Sequence, residues 1–265
     1  MVLIAPLQSI LTKLPLGGLR YFDSIGSTND EALAWAQAGA PDYSLVVADG
    51  QTAGRGRLQR RWVTHPGLAL AFSLVLRPSF QESQCLQRFS PLGAVAVRQA
   101  LADLFGLPAE IKWPNDVLLD RRKTAGILVE TCWEGAGLQA LVLGIGVNIA
   151  PSAVPPLTGL NFPATSVETV LGQPVDRWAV LRAILERLLT WRKRLCLQAF
   201  LDEWKAHLAL RGEWVRIGAA GGGEIIGIVQ DINADGSLRL LDKDGKELTV
   251  SVGDVHLRTL GEQVS

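Results

Sequence analysis

The sequence predicts an α+β body followed by a small β-barrel, and three observations carry that prediction. Strand-like runs of Val, Leu, Ile and Ala are interspersed with helix-spaced segments as far as residue 210. The run 139–149 is apolar on both faces, as a strand in the centre of a sheet is. From Gly212 onward the texture changes to short strands separated by turn residues.

Residues 1–18 read as a short apolar extension, 19–210 as the α+β body and 211–265 as the β-domain. After Tyr21-Phe22, the segment 30–37 places Ala32, Leu33, Trp35 and Ala36 at helical spacing. Thr28 or Asn29 is expected to cap it, because short polar side chains satisfy the free N–H groups of a first turn. Gly39-Ala40-Pro41 ends it. Residues 44–48 and 67–76 read as strands. Between them Gln51-Thr52-Ala53-Gly54-Arg55-Gly56-Arg57-Leu58-Gln59-Arg60-Arg61-Trp62 has no apolar periodicity and reads as a loop. The run 91–104 is expected to be a buried helix. Residues 111–119 and 125–132 are expected to pair as strands about a turn at 120–123. A single helix is expected over 177–204, with Leu181, Ile184, Leu185, Leu188 and Trp191 on one face. The short strands of the last unit are placed at 213–217, 224–230, 237–241 and 247–252. Asp235-Gly236 marks one hairpin turn and 242–245 another, since Asp-Gly accepts positive φ. About five such strands in some fifty residues suggest a barrel.

Lys plus Arg balances Asp plus Glu at 26 each, so no whole-molecule field draws the chain to nucleic acid or acidic lipid. With 48% apolar and 20% charged residues it has the balance of a folded globular protein. The apolar stretch 67–76 is about half the length a membrane span needs. No basic run precedes the N-terminal apolar residues, so no signal peptide is expected. Cys85, Cys132 and Cys196 are widely separated and odd in number, so neither a disulfide nor a zinc site is expected and a reducing cytoplasm is the simpler location.

Three segments concentrate chemistry. Gly54-Arg55-Gly56-Arg57, with Arg60, Arg61 and Trp62, offers close backbone approach and guanidiniums that pair with phosphate or carboxylate. It reads equally as a solvated basic loop or a nucleic-acid patch. Lys112-Trp113-Pro114-Asn115-Asp116 offers Lys112 to phosphate and Asp116 to a metal or an amine, or else a plain surface ion pair. Lys123-Thr124-Ala125-Gly126-Ile127-Leu128-Val129-Glu130 puts an amine at the start of a buried strand, where it enters a cleft or simply reaches solvent. A fourth segment, Gly144-Ile145-Gly146-Val147-Asn148, lacks the third glycine and following helix of a dinucleotide fingerprint.

Taken in order, Ser27-Thr28-Asn29, Gly-Arg-Gly-Arg, Lys-Trp-Pro-Asn-Asp, Lys-x-Ala-Gly-Ile-Leu-x-Glu and Gly-Ile-Gly-Val-Asn resemble the pattern of biotin–protein ligases from about Tyr21 to Asn148, and more loosely through the β-domain. The resemblance implies a mixed-sheet catalytic domain of the biotin/lipoate ligase kind followed by an SH3-like β-domain. It implies ATP-dependent biotinylation of a lysine on the biotin carboxyl carrier protein of acetyl-CoA carboxylase, or of a similar carboxylase. The intermediate would be biotinyl-5′-AMP, with biotin, ATP and Mg²⁺ required.

By the same resemblance Ser27, Thr28 and Asn29 hold the ureido head of biotin, with Gln51 nearby. Arg55, Gly56 and Arg57 form the loop that folds over biotin and the adenylate. Lys123 lies near the biotin carboxylate and the α-phosphate, and Gly126 packs against biotin. Asn148 lies near the nucleotide and Asn115 joins the ATP set. Lys112 and Asp116 serve the phosphate, magnesium and the incoming amine, with Asp116 the candidate proton acceptor. Two positions depart from the pattern: Gln59 stands where many members have Gly, and Thr249-Val250-Ser251 offers no basic or aromatic contact to nucleotide. Members that double as repressors carry a helix-turn-helix domain ahead of the body. About twenty residues precede it here, so a dedicated ligase that binds no DNA is expected, a monomer or weak homodimer. Rival readings are a lipoate–protein ligase or transferase, a non-catalytic biotin sensor and an RNA-binding barrel protein.

Overall fold

Strand β3 (Ala69–Leu76) is buried at every position, and β7 (Gly137–Asn148) is buried from Ala140 on. Strands this apolar need cover on both faces. The computed structural model describes residues 4–135, 137–156, 162–218, 223–251 and 254–257, without the side chains of 4–6, 59 and 254–257. Parts of the expected extension and β-domain, residues 1–3, 219–222, 252–253 and 258–265, lie outside the described residues.

A seven-stranded mixed sheet runs in the order β1-β2-β3-β7-β6-β5-β4, with β1 (Gly18–Ile25), β2 (Ser44–Gln51), β4 (Glu110–Lys112), β5 (Asp116–Leu119) and β6 (Arg122–Glu134). Only β1 and β2 are parallel neighbours. Side chains alternate along each strand, so register decides which residues share a face. Leu70, Phe72, Leu74, Ile127, Ile145 and Val147 point to one side. There they join the main core with helices α4 (Phe89–Phe105) and α6 (Arg177–Arg192). On the other side α2 (Thr28–Gln37) sets Ala32 and Ala36 against Val46, Val75, Ala140 and Val142. Helix α2 covers only part of that face. Its first turn lies over Gly144, and the neighbouring ends of β6 and β7, at Gly126 and Gly146, carry no helix.

The smaller helices α1 (Ile4–Leu11), α3 (Phe80–Ser83), α5 (Val167–Leu171) and α7 (Gln198–Ala206) complete the body. The last unit is an antiparallel sheet ordered β11-β10-β9-β8-β12, from β8 (Trp214–Gly218), β9 (Glu224–Ile232), β10 (Leu238–Leu241), β11 (Glu247–Val250) and β12 (Asp254–Leu257). Its Val215, Ile217, Val229 and Leu238 belong to the same core as the body. The Trp113 indole donates to the Gly236 carbonyl at 3.0 Å, and Arg88 donates to the carbonyls of Leu195, Leu197 and Ala234. No helix among the described residues is long and apolar enough to cross a membrane.

Five expectations need correction. Ser27, not Thr28 or Asn29, is the N-cap of α2, because the latter two turn their side chains into the sheet. The strand expected over 111–119 is a hairpin: Trp113-Pro114-Asn115, with a cis Trp113–Pro114 bond, turns the chain so that Lys112 pairs with Asp116. The helix expected over 177–204 breaks after Arg192. That side chain turns inward to Asp42, Glu82 and the Arg77 carbonyl, and Leu195 is buried beyond it. Part of the N-terminal extension is helix α1, whose Leu7 and Leu11 join the core.

The cysteine expectation also fails. Cys85 and Cys196, 111 positions apart, form a disulfide with Cα atoms 6.0 Å apart, and Cys132 is buried and free. The bond lies beside Arg192, whose contacts to Glu82 and Asp42 draw the segment after α6 against the segment after α3. The cysteine ground for a reducing compartment therefore falls away. A native disulfide typically stabilises a fold by about 2–4 kcal/mol. Urea unfolding with and without dithiothreitol is expected to differ by that amount, with Cys196→Ser matching the reduced protein. Identical midpoints would mean the bond contributes nothing.

Candidate functional site

The uncovered end of the sheet is a cavity of about 380 Å³, within the roughly 300–1,000 Å³ of small-ligand pockets. Ser27, Thr28, Asn29, Gln51, Arg55, Gly56, Arg57, Lys112, Asn115, Asp116, Lys123, Gly126 and Asn148 all line it. Residues spread over more than half of the body's sequence thus meet at one place. Six basic side chains and one carboxylate face the cavity, so it is built for an anionic ligand.

Its floor is backbone. A Cβ at Gly146 would stand 2.3 Å from the Trp62 ring, and one at Gly144 would stand 2.0 Å from Asn29 Oδ1. Gly126 lies opposite Gly146 in register, under Trp62 and Lys123. Only glycine permits the approaches at Gly144 and Gly146. The Trp62 indole N–H is buried without a hydrogen-bond partner.

One end of the cavity is polar and uncharged. Thr28 donates through its backbone N–H to Gln51 Oε1 at 2.8 Å, and the Gln51 amide donates to Thr64 Oγ1 at 3.1 Å. The Ser73 hydroxyl lies 2.8 Å from Thr28 Oγ1 and 2.6 Å from Asn29 Oδ1. Asn29 Nδ2 donates to Glu130 at 2.7 Å, and Arg55 donates to the same Glu130 oxygen at 2.9 Å and to Asp30. Ser27, Thr28 and Asn29 are all buried.

The other end is ionic. Asp116, 7% exposed, has Lys112 Nζ 3.0 Å from one oxygen and Lys123 Nζ 2.6 Å from the other. Burial raises its pKa, but Lys123 and then Lys112 outweigh burial and hold the carboxyl at about 2. Strand pairing builds this trio: Lys112 faces Asp116 across the β4–β5 turn, and Lys123 starts β6 beside β5. Asn115 fastens the turn, donating to the Ile127 carbonyl at 2.7 Å while its own carbonyl accepts from Ile127 N–H. Arg57 donates to Asn115 Oδ1 at 3.3 Å. Asn148 donates to the Thr165 carbonyl at 3.0 Å, and Lys123 pairs with the segment ending at Thr165. That segment brings Phe162 within 4.9 Å of Lys112 Nζ.

Sequence reasoning assigned no role to Trp62, Ser73, Glu130, Gly144 or Phe162. A serine within the apolar strand β3 was the signal for Ser73, and Glu130 closed a motif already quoted. Nothing in the sequence marks Phe162. Both Asp116 oxygens face ammonium groups, so neither is turned toward a magnesium ion in this arrangement.

Residues 21–148 match the model of the Biotin/lipoate A/B protein ligase family, and residues 212–258 match the Biotin protein ligase C terminal domain. The chain is 40% identical over 169 residues to the bifunctional ligase/repressor BirA of Bacillus subtilis, a match covering 63% of this chain and 51% of that protein. It thus spans about half the length of that relative. It is 37% identical over 236 residues to a biotin–[acetyl-CoA-carboxylase] ligase of Paracoccus denitrificans, covering 84% of this chain and 93% of that protein. Among solved structures, a biotin protein ligase from Aquifex aeolicus in complex with biotin and ATP superimposes with a TM-score of 0.78 at 27% identity, over 91% of this chain and 98% of that one.

The ionic end has a measurable signature. A carboxyl depressed from 3.8 to about 2 adds stability that is present above the unfolded pKa and lost as pH falls from about 4 through about 2. The shift corresponds to about 2 kcal/mol. Urea unfolding between pH 5 and pH 2 is expected to fall by that much more for the wild type than for Asp116→Asn. Parallel curves would show that Asp116 is not held by the two lysines.

Proposed function

We propose that this chain, which belongs to the Biotin/lipoate A/B protein ligase family, joins biotin to a carrier lysine at the expense of ATP. The observation that carries this reading is the convergence of an uncharged hydrogen-bonding end, a glycine floor and a cationic end in one cavity. Biotin has the same layout: a ureido ring that donates and accepts hydrogen bonds, an apolar fused thioether ring and alkyl chain, and a terminal carboxylate.

The reaction follows from where the charges lie. The biotin carboxylate attacks the α-phosphorus of ATP, pyrophosphate leaves and biotinyl-5′-AMP forms. Both reactants are anions, so cations held in place beforehand lower the barrier. Lys123, Lys112 and Arg57 serve as those cations, with Lys123 at the junction of carboxylate and α-phosphate. Asn115 and Asn148 flank the nucleotide. Magnesium belongs to the ATP, carried by its phosphates rather than by a protein cage. The mixed anhydride is destroyed by water, and the loop of Arg55, Gly56 and Arg57 folds over it.

In the second step the carrier's lysine amine attacks the anhydride carbonyl. The carbonyl–phosphate C–O bond breaks as the amide forms, and AMP leaves with the amine's proton passing to its phosphate or to solvent. A carboxyl held at about 2 is a weak base beside an amine of about 10.4. Asp116 therefore contributes by holding Lys112 and Lys123 rather than by taking the proton. Those ammonium groups in turn disfavour charge on an incoming amine, which enters as the neutral nucleophile. The acceptor is the carrier domain of a biotin-dependent carboxylase.

Lipoate is the closest competing substrate. Its dithiolane ring makes only weak hydrogen bonds, so it would forgo the contacts that a ureido group can add around Thr28, Asn29 and Gln51, at about 0.5–1.5 kcal/mol each. Pyrophosphate release with ATP, Mg²⁺ and either acid is expected with biotin alone. Lys123→Ala and Arg57→Ala are each expected to slow it by about 10²–10³. Turnover with lipoate alone would reverse the substrate, and silence with both acids would leave a biotin-binding protein without catalysis.

A further inference from the structure

Glu130 lines neither the floor nor the ionic end, yet one of its oxygens, Oε2, meets two parts of the site. It lies 2.7 Å from Asn29 Nδ2 and 2.9 Å from Arg55 Nη2. Asn29 belongs to α2 and Arg55 to the glycine–arginine loop, so this oxygen is a direct link between the pocket's polar end and the loop.

An ionised carboxylate only accepts, and that fixes more than Asn29. With Nδ2 donating to Glu130 at 2.7 Å and also reaching the Leu128 carbonyl at 3.5 Å, Asn29 Oδ1 must face Ser73 and Gly144. Oδ1 also only accepts, so the single hydroxyl proton of Ser73 goes to it. Ser73 Oγ is left as an acceptor toward Thr28 Oγ1. The Thr28 hydroxyl proton is then divided between Ser73 and Gln51 Oε1, 3.2 Å away; the Gln51 amide is oriented separately, by the Thr28 backbone N–H at its oxygen and Thr64 at its nitrogen. Glu130, together with the Leu128 carbonyl, thus sets the orientation of the Asn29 amide and of the Ser73 hydroxyl bonded to it. Reversing the Asn29 amide would place its oxygen against the Glu130 carboxylate.

We propose that Glu130 is a positioning residue that sets donor and acceptor polarity at the polar end of the cavity and couples it to the position of the arginine loop. This rests on biotin being the ligand. A head group that depends on that polarity binds well only while Glu130 holds Asn29, and the loop is held down by the same oxygen.

Two readouts test it together: biotin affinity by calorimetry, and trypsin cleavage within the loop at Arg55, Arg57, Arg60 and Arg61 with and without saturating biotin. In the wild type biotin is expected to bind and to slow cleavage. Glu130→Gln, which lets an N–H donor stand where only an acceptor stood, is expected to weaken biotin about tenfold. It is also expected to leave the loop equally cleavable with and without biotin. Glu130→Asp keeps the charge but is too short to hold both partners at once. It is expected to recover part of the affinity while leaving the loop unprotected, and it carries the test if Glu130→Gln does not fold. A purely structural Glu130 would lower Tm without changing affinity or the effect of biotin on cleavage, and that outcome overturns the proposal. If the wild type binds no biotin, the functional reading itself fails. If it binds and both variants behave as it does, this inference alone fails.

Discussion

A carboxylate buried between two ammonium groups is the constraint on which the site depends. An isolated charge at the depth of Asp116 would cost several kcal/mol, and removing one partner from such a pair leaves the rest unbalanced. Lys112 and Lys123 can meet it only if three strand segments keep register, and that register rests on the Asn115 pairing with Ile127. The same register sets Gly126 opposite Gly146 and carries Lys123 to its pairing with the segment of Phe162 and Thr165. Charge, floor and wall are therefore a single folding outcome. The cations stand in place before any anion arrives, so little reorganisation is left for the moment of reaction.

The division of the sheet's second face explains why the site lies where it does. Helix α2 is short, and its small residues Ala32 and Ala36 let it sit close on Val46 and Val142. Its first turn supplies Thr28 and Asn29 just where the cover stops. Beyond it the strands carry glycine rather than aliphatic side chains, and Trp62 fills part of the space that a helix would have taken. The last β-unit closes against the opposite side of the Lys112–Asp116 turn through Trp113 and Gly236, supporting that turn from behind.

Much of this was legible in the sequence because the relevant signals are local. The apolar runs of β3 and β7 gave a covered sheet, and the short strands and turn residues after Gly212 gave the second unit. Motif order placed the cavity's residues together, although spacing alone left each motif with a bland alternative. What stayed hidden was decided by distant contacts. Arg192 breaks a helix without any glycine or proline because its partners, Asp42 and Glu82, lie far off in sequence. The disulfide follows from that same convergence, which cysteine spacing cannot express. Pro114 lay inside an expected strand, and only the pairing of Lys112 with Asp116 made it part of a turn. Phe162 enters through a backbone bridge between Lys123 and Ala164 that leaves no pattern in composition.

The floor of Gly144 and Gly146 has a consequence for how such a protein can change over generations. Recognition through bare backbone offers mutation nothing to trim, and any added side chain collides with Asn29 or Trp62. The depth of the binding groove is thus inherited nearly fixed. Novelty must come from the rim, at positions such as Phe162 that lie outside the strands. A lineage with this architecture is expected to diversify in how it closes over its ligand long before it alters the shape it closes upon.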